Sequence, residues 1–433
     1  MEGLLKAGTL LTSESGNTYK VISLLGAGGQ GEVYEVECNG KRMALKWYFK
    51  QMATGGQKAI LDNLIAKGTP DSAFLWPEDL IFKSWGESFG YVMPLRPKNF
   101  KSIIDLMKRR VEPSFYTICK AAYNLTYCYQ KLHAMGYSYR DISFGNLFFE
   151  PTTGEVLICD NDNVSANGID NSAVYGTPRF MAPEIVVGKA KPSRNTDLYS
   201  LAVLLFYMFM MGHPLEGKLE ADIKCMDMHA MHRLYGTNPV FVYDPQNKTN
   251  RPVAGYQDNV RIYWDLYPQF LRDLFTHSFT VGLSTPNKRV TEKQWMDALS
   301  NMMCGIVKCS GCGAEIFFDE NKYQNQVAHT CWNEGTTVSI PQMLVIGKSR
   351  VLLQKNGKLY AHHLKGNYDM STVLGSVVQN PANPNLWGIK NESGENWTYI
   401  KPDGIQVPVP IGKSATITKG VKINFGQVIG TII

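Results

Sequence analysis

Between about residues 10 and 95 the chain alternates apolar and polar positions in short runs, the two-residue period of strands, with one helical interruption. Thr18-Tyr19-Lys20-Val21-Ile22-Ser23-Leu24-Leu25 is rich in β-formers and runs directly into glycines, and alternation resumes over residues 32–37. A strand, a glycine turn and a second strand predict a hairpin, which removes the strand-to-helix context that a dinucleotide fingerprint needs. Ile60, Leu61, Leu64 and Ile65 fall at helical spacing and predict a short helix ending near Gly68-Thr69-Pro70. Beyond Pro97 the apolar steps lengthen to three and four, so residues 103–107, 116–135, 198–211, 270–279 and 292–303 read as helices. Residues 212–286 hold a polar stretch, Asn238-Pro239 through Pro252, that predicts an insertion-like loop region. Residues 337–433 are rich in Val, Ile, Thr, Gly and Asn, with turns at Pro402-Asp403-Gly404 and Lys419-Gly420. That pattern predicts a small antiparallel β-domain.

Composition and the distribution of residue types narrow the picture. A chain of 433 residues is too long for one ordinary core, so two or three domains are expected. The net charge of +6 is not gathered into long basic runs, and Lys108-Arg109-Arg110 reads as a solvated face, so no nucleic-acid partner is expected. The most apolar stretch, 198–211, is too short to span a bilayer and contains Tyr199, Ser200 and Tyr207; a buried helix explains it, and no membrane partner is expected. The start lacks the apolar core and cleavage site of a secretory signal. Nine cysteines, an odd number and mostly scattered, suit a reducing cytoplasm.

Four separated segments carry chemistry, and they come in a telling order. They are Gly26-Ala27-Gly28-Gly29-Gln30-Gly31-Glu32-Val33, Ala44-Leu45-Lys46, Tyr139-Arg140-Asp141 through Asn146, and Asp160 followed by Ala182-Pro183-Glu184. Each alone is weak, since glycine turns and solvated carboxylates are common. Together they supply a cradle for phosphate oxygens, a cation, a base and two metal-binding positions. The combination resembles the eukaryotic-type (Hanks-like) protein kinase domain over roughly the first two-thirds of the chain. Phe74-Leu75-Trp76-Pro77, Phe89-Gly90-Tyr91-Val92-Met93-Pro94-Leu95 and Tyr139-Arg140-Asp141-Ile142-Ser143 resemble a divergent bacterial and phage-associated group of that superfamily.

The resemblance implies an α+β, two-lobed fold using ATP and Mg²⁺ to phosphorylate a serine or threonine of a protein substrate. Gly26, Gly28 and Gly31 would approach phosphates, with Lys46 reaching the α- and β-phosphates. Leu25, Val33 and Ala44 would cover adenine, Phe148 would be its floor, and residues 93–96, with Met93 and Leu95, would form the hinge. Asp141 would act as base, while Asn146 and Asp160 would hold metal. Glu184 is expected to pair with Arg289, Asp197 to hold the catalytic loop, and Thr177 to mark hydroxyl specificity. Ser165, Ser172, Tyr175 and Thr177 are candidate phosphosites, Ser172 first, with Arg140 as the receiving cation.

Four departures stand out. Tyr139 replaces the usual histidine, and Asn161-Asp162 replaces the usual Phe-Gly after the metal aspartate. Ser143 stands where a lysine is usual, and residues 57–65 carry no glutamate for Lys46, with Gln57 and Asp62 the nearest substitutes. They raise the alternative of a nucleotide-binding pseudokinase scaffold that recruits partners through its tail. Retention of Lys46, Asp141, Asn146 and Asp160 favours an active enzyme.

Cys309-Ser310-Gly311-Cys312-Gly313 has the form of a zinc knuckle, and Cys331 offers a third thiolate. The fourth ligand of a structural Zn²⁺ would be His329 or Glu334. The competing reading is a decayed ribbon held by Phe317, Phe318 and Trp332. The tail faintly resembles a forkhead-associated β-sandwich through Leu386-Trp387-Gly388-Ile389-Lys390-Asn391 and its last hairpin, with Arg350 the candidate phosphate-binding cation and partner binding the expected role. The expected organisation is a kinase domain over 1–305 (first lobe about 10–95, second about 98–305), a zinc-ribbon-like segment over 306–336 and an all-β sandwich over 337–433.

Overall fold

The computed structural model describes residues 3–82, 88–167 and 176–433. Two compact units are present: Met1–Trp264 with Asp273–Trp295, and Asp265–Arg272 with Met296–Ile433. The expected phosphosites Ser172 and Tyr175 lie outside the described residues.

The first unit begins with an antiparallel sheet of β1 (Leu10–Thr12), β2 (Thr18–Ala27), β3 (Gly31–Cys38), β4 (Lys41–Tyr48), β5 (Asp79–Phe82) and β6 (Phe89–Pro94). Their order is β1-β2-β3-β4-β6-β5, so β4 is interior and buried on both faces. Alternation then decides what each β4 side chain meets. Met43, Leu45 and Trp47 join a core with Tyr19, Val21, Tyr34, Val36 and Val92. Ala44 and Tyr48 point to the opposite side, into a core that includes Leu61 of helix α1 (Gly55–Lys67) and Met93 of β6. Lys46 lies between Ala44 and Tyr48 in that register and is itself 5% exposed. Helix α1 is longer at its N-terminal end than its apolar spacing suggests, because Thr54 caps it by accepting from the Gln57 amide at 3.1 Å.

The second lobe of this unit is helical. Helix α2 (Phe115–Ala134) leads to the loop carrying Asp141, which is followed by the hairpin β7 (Leu147–Phe149) and β8 (Val156–Ile158). Helix α3 (Arg194–Met210) is buried along nearly its whole length, from Thr196 to Met210, as an all-round apolar helix must be. The two lobes are stitched by main-chain bonds: Leu75 N–H donates to Ile158 O at 2.9 Å and Ile158 N–H to Ala73 O at 2.8 Å.

The expected loop stretch, Asn238-Pro239 through Pro252, is irregular apart from the single turn Lys248–Asn250, but it is packed, with Val240, Phe241, Val242 and Asn250 buried. Residues 212–286 around it hold the helices Lys218–Ala221, Met228–His232 and Asp258–Leu266 and a buried set that includes Leu215, Tyr235 and Trp264. Buried Asn250 organises them, donating to Leu215 O and Val240 O at 2.8 and 2.7 Å and accepting from the Leu219 amide at 2.9 Å. Its side chain replaces regular backbone pairing, which is why a polar-looking stretch forms a packed structure.

In the second unit, two short hairpins, Ile306–Lys308 with Glu315–Phe317 and His329–Thr330 with Thr337–Val338, precede two antiparallel sheets. One sheet has six strands and the other four. Their inward residues, among them Leu344, Leu359, Val377, Ile389, Trp397, Ile423 and Ile432, share one core. This is a two-sheet β-domain, and with the first unit it makes the chain α+β.

Arg289 pairs with Glu184 through two 2.8 Å bonds and also donates to Asn195 O and Gly282 O. Its side chain is 2% exposed, so losing the carboxylate strands a buried charge. Glu184→Ala is expected to destabilise the first unit by about 3–5 kcal/mol, read as a lowered denaturation midpoint with unchanged slope.

Candidate active site

Lys46 is the centre of the cleft. Its ammonium contacts Asp162 at 2.9 and 3.1 Å, Gln30 Oε1 at 2.8 Å and Asp160 at 3.5 Å. Burial pushes its pKa down, but Asp162 first and Asp160 second outweigh that and hold it above the ordinary lysine value. Burial likewise raises the Asp160 carboxyl, opposed by Lys46 and reinforced by Asp162. The Asp162 side chain has no exposure, and the Tyr48 hydroxyl donates to it. Gln57 of α1 donates to Tyr48 Oη and to the Asp162 carbonyl, both at 3.1 Å, and does not reach Lys46. Asp62 pairs with Lys58 at 3.0 Å on the surface. Neither expected substitute therefore meets the lysine. The missed partner, Asp162, was visible in sequence only as a carboxylate where glycine is usual.

Asp141 sits across the cleft. Asn146 Nδ2 donates to the Asp141 carbonyl at 2.9 Å and to its carboxylate at 3.2 Å. The Thr177 amide and hydroxyl both donate to Asp141 Oδ1, at 2.8 and 2.7 Å. The Cys159 amide donates to Asn146 O at 2.9 Å, which ties Asp160 to the same loop. Arg140 and Asp160 both take left-handed backbone angles, φ +75° and +52°. Such angles persist only when surroundings enforce them. Asp197 of α3 does so at Arg140, accepting the Tyr139 and Arg140 amides at 2.6 and 3.0 Å. The Tyr139 hydroxyl donates to Cys159 O, so this replacement for histidine fixes the residue before Asp160.

The glycine turn fits the approach of phosphate oxygens. Space is open where a Cβ would stand on Gly26, Gly28 or Gly29. Gly31 has a different reason: its Cβ would lie 2.1 Å from Trp47 O, so it permits β3 to pack on β4. Ala44 and Met93 are cross-strand partners, and both share one apolar cluster with Val33, Leu95 and Cys159. Leu25 is half-exposed at the rim, and the Arg96 guanidinium lies 4.0 Å from the Phe148 ring centre. The donor set at the cleft, Asn146 and Asp160, is all oxygen in character and suits a hard divalent cation.

A second constellation is in the other unit. Cys309, Cys312, Cys331 and Glu334 place their ligand atoms within 4.8 Å of one another. Cys309 Sγ is 3.5 Å from Glu334 Oε2 and Cys312 Sγ is 3.6 Å from Cys331 Sγ, close to the edge of about 3.8 Å for a tetrahedron of zinc–sulfur bonds. Two matching turns build it: Gly313 N–H donates to Cys309 O and Gly335 N–H to Cys331 O, and both glycines have positive φ. The Cys312 and Gly311 amides hold the Cys309 thiol below its ordinary pKa. A Cβ on Gly311 would lie 2.4 Å from Glu334, so glycine is what lets the carboxylate approach. His329, the other expected fourth ligand, is not part of this set. Its Nε2 accepts the Asp319 amide at 2.9 Å and its ring stacks on Phe318. Arg350 is also committed, donating to Gly347 O and pairing with Glu320 at 3.4 Å.

Comparison with known proteins agrees with the cleft. The family model described as "Protein kinase domain" matches residues 19–299, more than half of the chain, and the protein belongs to that family. The chain is 31% identical over 212 residues to a "Probable serine/threonine-protein kinase CCRP1" of Zea mays, covering 45% of this chain and 32% of that protein. It is 25% identical over 259 residues to a "Serine/threonine-protein kinase PknD" of Chlamydia trachomatis, covering 48% and 26%. It is 24% identical over 303 residues to "Protein kinase YegI" of Escherichia coli, covering 66% and 45%. The matched region thus spans less than half the length of each relative.

Buried His133 bridges Asp197 at 3.1 Å and Glu292 at 2.5 Å, and Arg194 also pairs with Glu292 at 2.7 Å. Burial pushes the imidazole down, but both carboxylates outweigh it and raise its pKa; Glu292, resisting burial through His133 and Arg194, falls to about 2. The His133 contribution should be fully present below about pH 6.5 and lost as pH rises through the raised folded value. The Glu292 contribution should be present above about pH 4.3 and lost as pH falls toward 2. In urea titrations across pH, the stability gap between wild type and His133→Gln should narrow at alkaline pH.

Proposed function

We propose that the protein is a serine/threonine protein kinase that moves the γ-phosphoryl group of ATP to a hydroxyl of a protein substrate. The observation that carries this reading is the meeting of one ammonium and three oxygen-bearing side chains, Lys46, Asp160, Asn146 and Asp141, in one cleft of a protein kinase domain. ATP with Mg²⁺ supplies the transferable phosphoryl group and the cation that neutralises its charge.

The residues divide the work by chemistry. Lys46 offers positive charge for the α- and β-phosphate oxygens, and its carboxylate partners keep it protonated at neutral pH. Asp160 and Asn146 offer carboxylate and amide oxygens to the metal. Asp141, aimed by Thr177 and Asn146, accepts the proton of the incoming hydroxyl. The Thr177 hydroxyl beside Asp141 supports a serine or threonine acceptor. Gly26, Gly28 and Gly29 leave the turn open for main-chain amides to approach phosphate, and Ala44, Met93, Val33 and Leu95 offer an apolar seat for adenine. The scaffold alternative gains no support from a site that retains every one of these groups.

The organisation we infer is a kinase domain over 1–305, a metal knuckle over 306–336 and a partner-binding β-domain over 337–433. The knuckle would hold a structural zinc through Cys309, Cys312, Cys331 and Glu334. Nine free thiols support a reducing compartment such as the cytoplasm. No helix among the described residues is long and apolar enough to cross a membrane.

Two measurements test this. Asp141→Asn should lower phosphate transfer from radiolabelled ATP by roughly 10²- to 10⁴-fold while thermal stabilisation by ATP–Mg²⁺ persists; unchanged transfer would exclude Asp141 as the base. Elemental analysis should find one zinc in the wild-type chain and none in Cys309→Ser. Glu334→Cys should retain zinc against a chelator for longer, because a fourth thiolate is the softer ligand.

A further inference from the structure

We propose that Asp162 positions Lys46 for phosphoryl transfer, so that the phosphate-binding lysine is anchored by the turn that also carries metal-binding Asp160 and not by helix α1. The proposal rests on the kinase reading above and adds to it the origin of the lysine's alignment.

Lys46 is too buried to be oriented by water, and its geometry follows from its partners. Helix α1 supplies no carboxylate to it: its core-facing residues are Leu61 and Leu64, Asp62 is engaged on the surface, and Gln57 stops at Tyr48 and the Asp162 carbonyl. The anchoring acid comes from the short turn Asn161–Asn163, entered through the left-handed Asp160. Buried Asn161 fixes that turn by donating to Leu75 O and Ile158 O, both at 2.9 Å. One turn therefore sends two carboxylates to one lysine, and their environments separate them. The Asp160 side chain is 42% exposed toward the cleft, whereas that of Asp162 has no exposure at all. A carboxylate without an open side has no room for a hydrated cation. It can hold Lys46 while Asp160 turns its oxygens to metal.

Tyr48 donates to Asp162 from the same strand face as Lys46, so β4 grips this acid at two points two residues apart. Among the described residues, helix α1 hydrogen-bonds to the arrangement through the neutral amide of Gln57, while its Leu61 packs in the apolar cluster of Tyr48. In this protein, alignment of the lysine is coupled to the residues following Asp160 by charge, and to α1 by weaker hydrogen bonds.

The test compares full-length variants for kcat, KM for ATP, affinity for a fluorescent ATP analogue, and melting temperature. Asp162→Asn keeps the side-chain shape and removes the charge. It should lower kcat by roughly 10²-fold while analogue affinity changes by less than about tenfold, because a misaligned cation still attracts nucleotide. Gln57→Ala should lower kcat by about tenfold or less, as loss of neutral hydrogen bonds predicts. Asp162→Glu returns the charge to the same turn and should recover at least about tenfold of the kcat lost in Asp162→Asn, a gain that mere repair of packing would not give. Should Asp162→Asn fail to fold, Asp162→Ala decides by the same split between kcat and analogue affinity. Asp162→Asn turning over within about threefold of wild type, while Asp141→Asn is dead, overturns this proposal and leaves the kinase reading intact. A loss of analogue affinity as large as the loss of kcat in Asp162→Asn overturns it too. Wild type without any turnover overturns the transferase reading and this proposal with it.

Discussion

A buried ammonium group is the constraint around which the cleft is organised. Removing a lysine from water is unfavourable by several kcal/mol unless opposite charge and hydrogen bonds replace the hydration. Strand alternation on β4 forces Lys46 inward, because Met43, Leu45 and Trp47 must occupy the other face. The inward face then has to supply compensation. It does so from three directions: Gln30 at the glycine turn, Asp160 at the cleft and Asp162 beneath. Moving any of these elements changes the electrostatics of all of them. The glycine turn, the strand and the post-β8 turn thus form one unit although they are distant in sequence.

The opposite wall follows the same logic with a different anchor. The Asp141 loop contains strained Arg140, and the strain is held by the Asp197 carboxylate accepting two consecutive amides. Asp197 is held in turn by His133, His133 by Glu292, and Glu292 by Arg194. A chain of alternating charge, buried except at Arg194, thus runs from the start of α3 to the Asp141 loop. The two walls join where Tyr139 donates to Cys159 O and the Cys159 amide donates to Asn146 O. Tyrosine serves there because its ring packs edge-on to Tyr129 at 5.4 Å while its hydroxyl reaches the carbonyl.

Much of this was legible in the residues. The strand-like apolar run around Lys46, the glycines between paired strands and the Asp141-to-Asn146 spacing each have a local cause, and local causes can be read from sequence. The helix at 198–211 was equally plain, because an all-round apolar run admits few other fates. Two things were not legible. The packing of the irregular stretch 238–252 was hidden because its order comes from Asn250, whose side chain bonds to backbone at Leu215, Leu219 and Val240, up to 35 residues earlier in the chain. The partner of Lys46 was sought on the helix, at Gln57 or Asp62, because helix residues there are near the strand in sequence. It came instead from Asp162, 116 residues from Lys46, and such pairing depends on tertiary placement alone.

The knuckle shows how a repeated turn can favour one of two candidate ligands that residue type alone leaves open. Histidine is the commoner zinc ligand, so His329 competed with Glu334 for the fourth place. Turn geometry groups Glu334, and not His329, with the three cysteines. Cys309-Ser310-Gly311-Cys312-Gly313 and Cys331-Trp332-Asn333-Glu334-Gly335 have the same spacing, and in each the terminal glycine takes a left-handed angle and bonds back to the first cysteine. A turn of this shape aims its first and fourth side chains at a common point, so the position opposite Cys312 belongs to Glu334 whatever residue precedes Cys331. His329 lies on the strand entering the second turn, where its ring is taken up by Phe318 and its Nε2 by the Asp319 amide. The repeat of the turn, more than the identity of the donor, is the physical content of the motif.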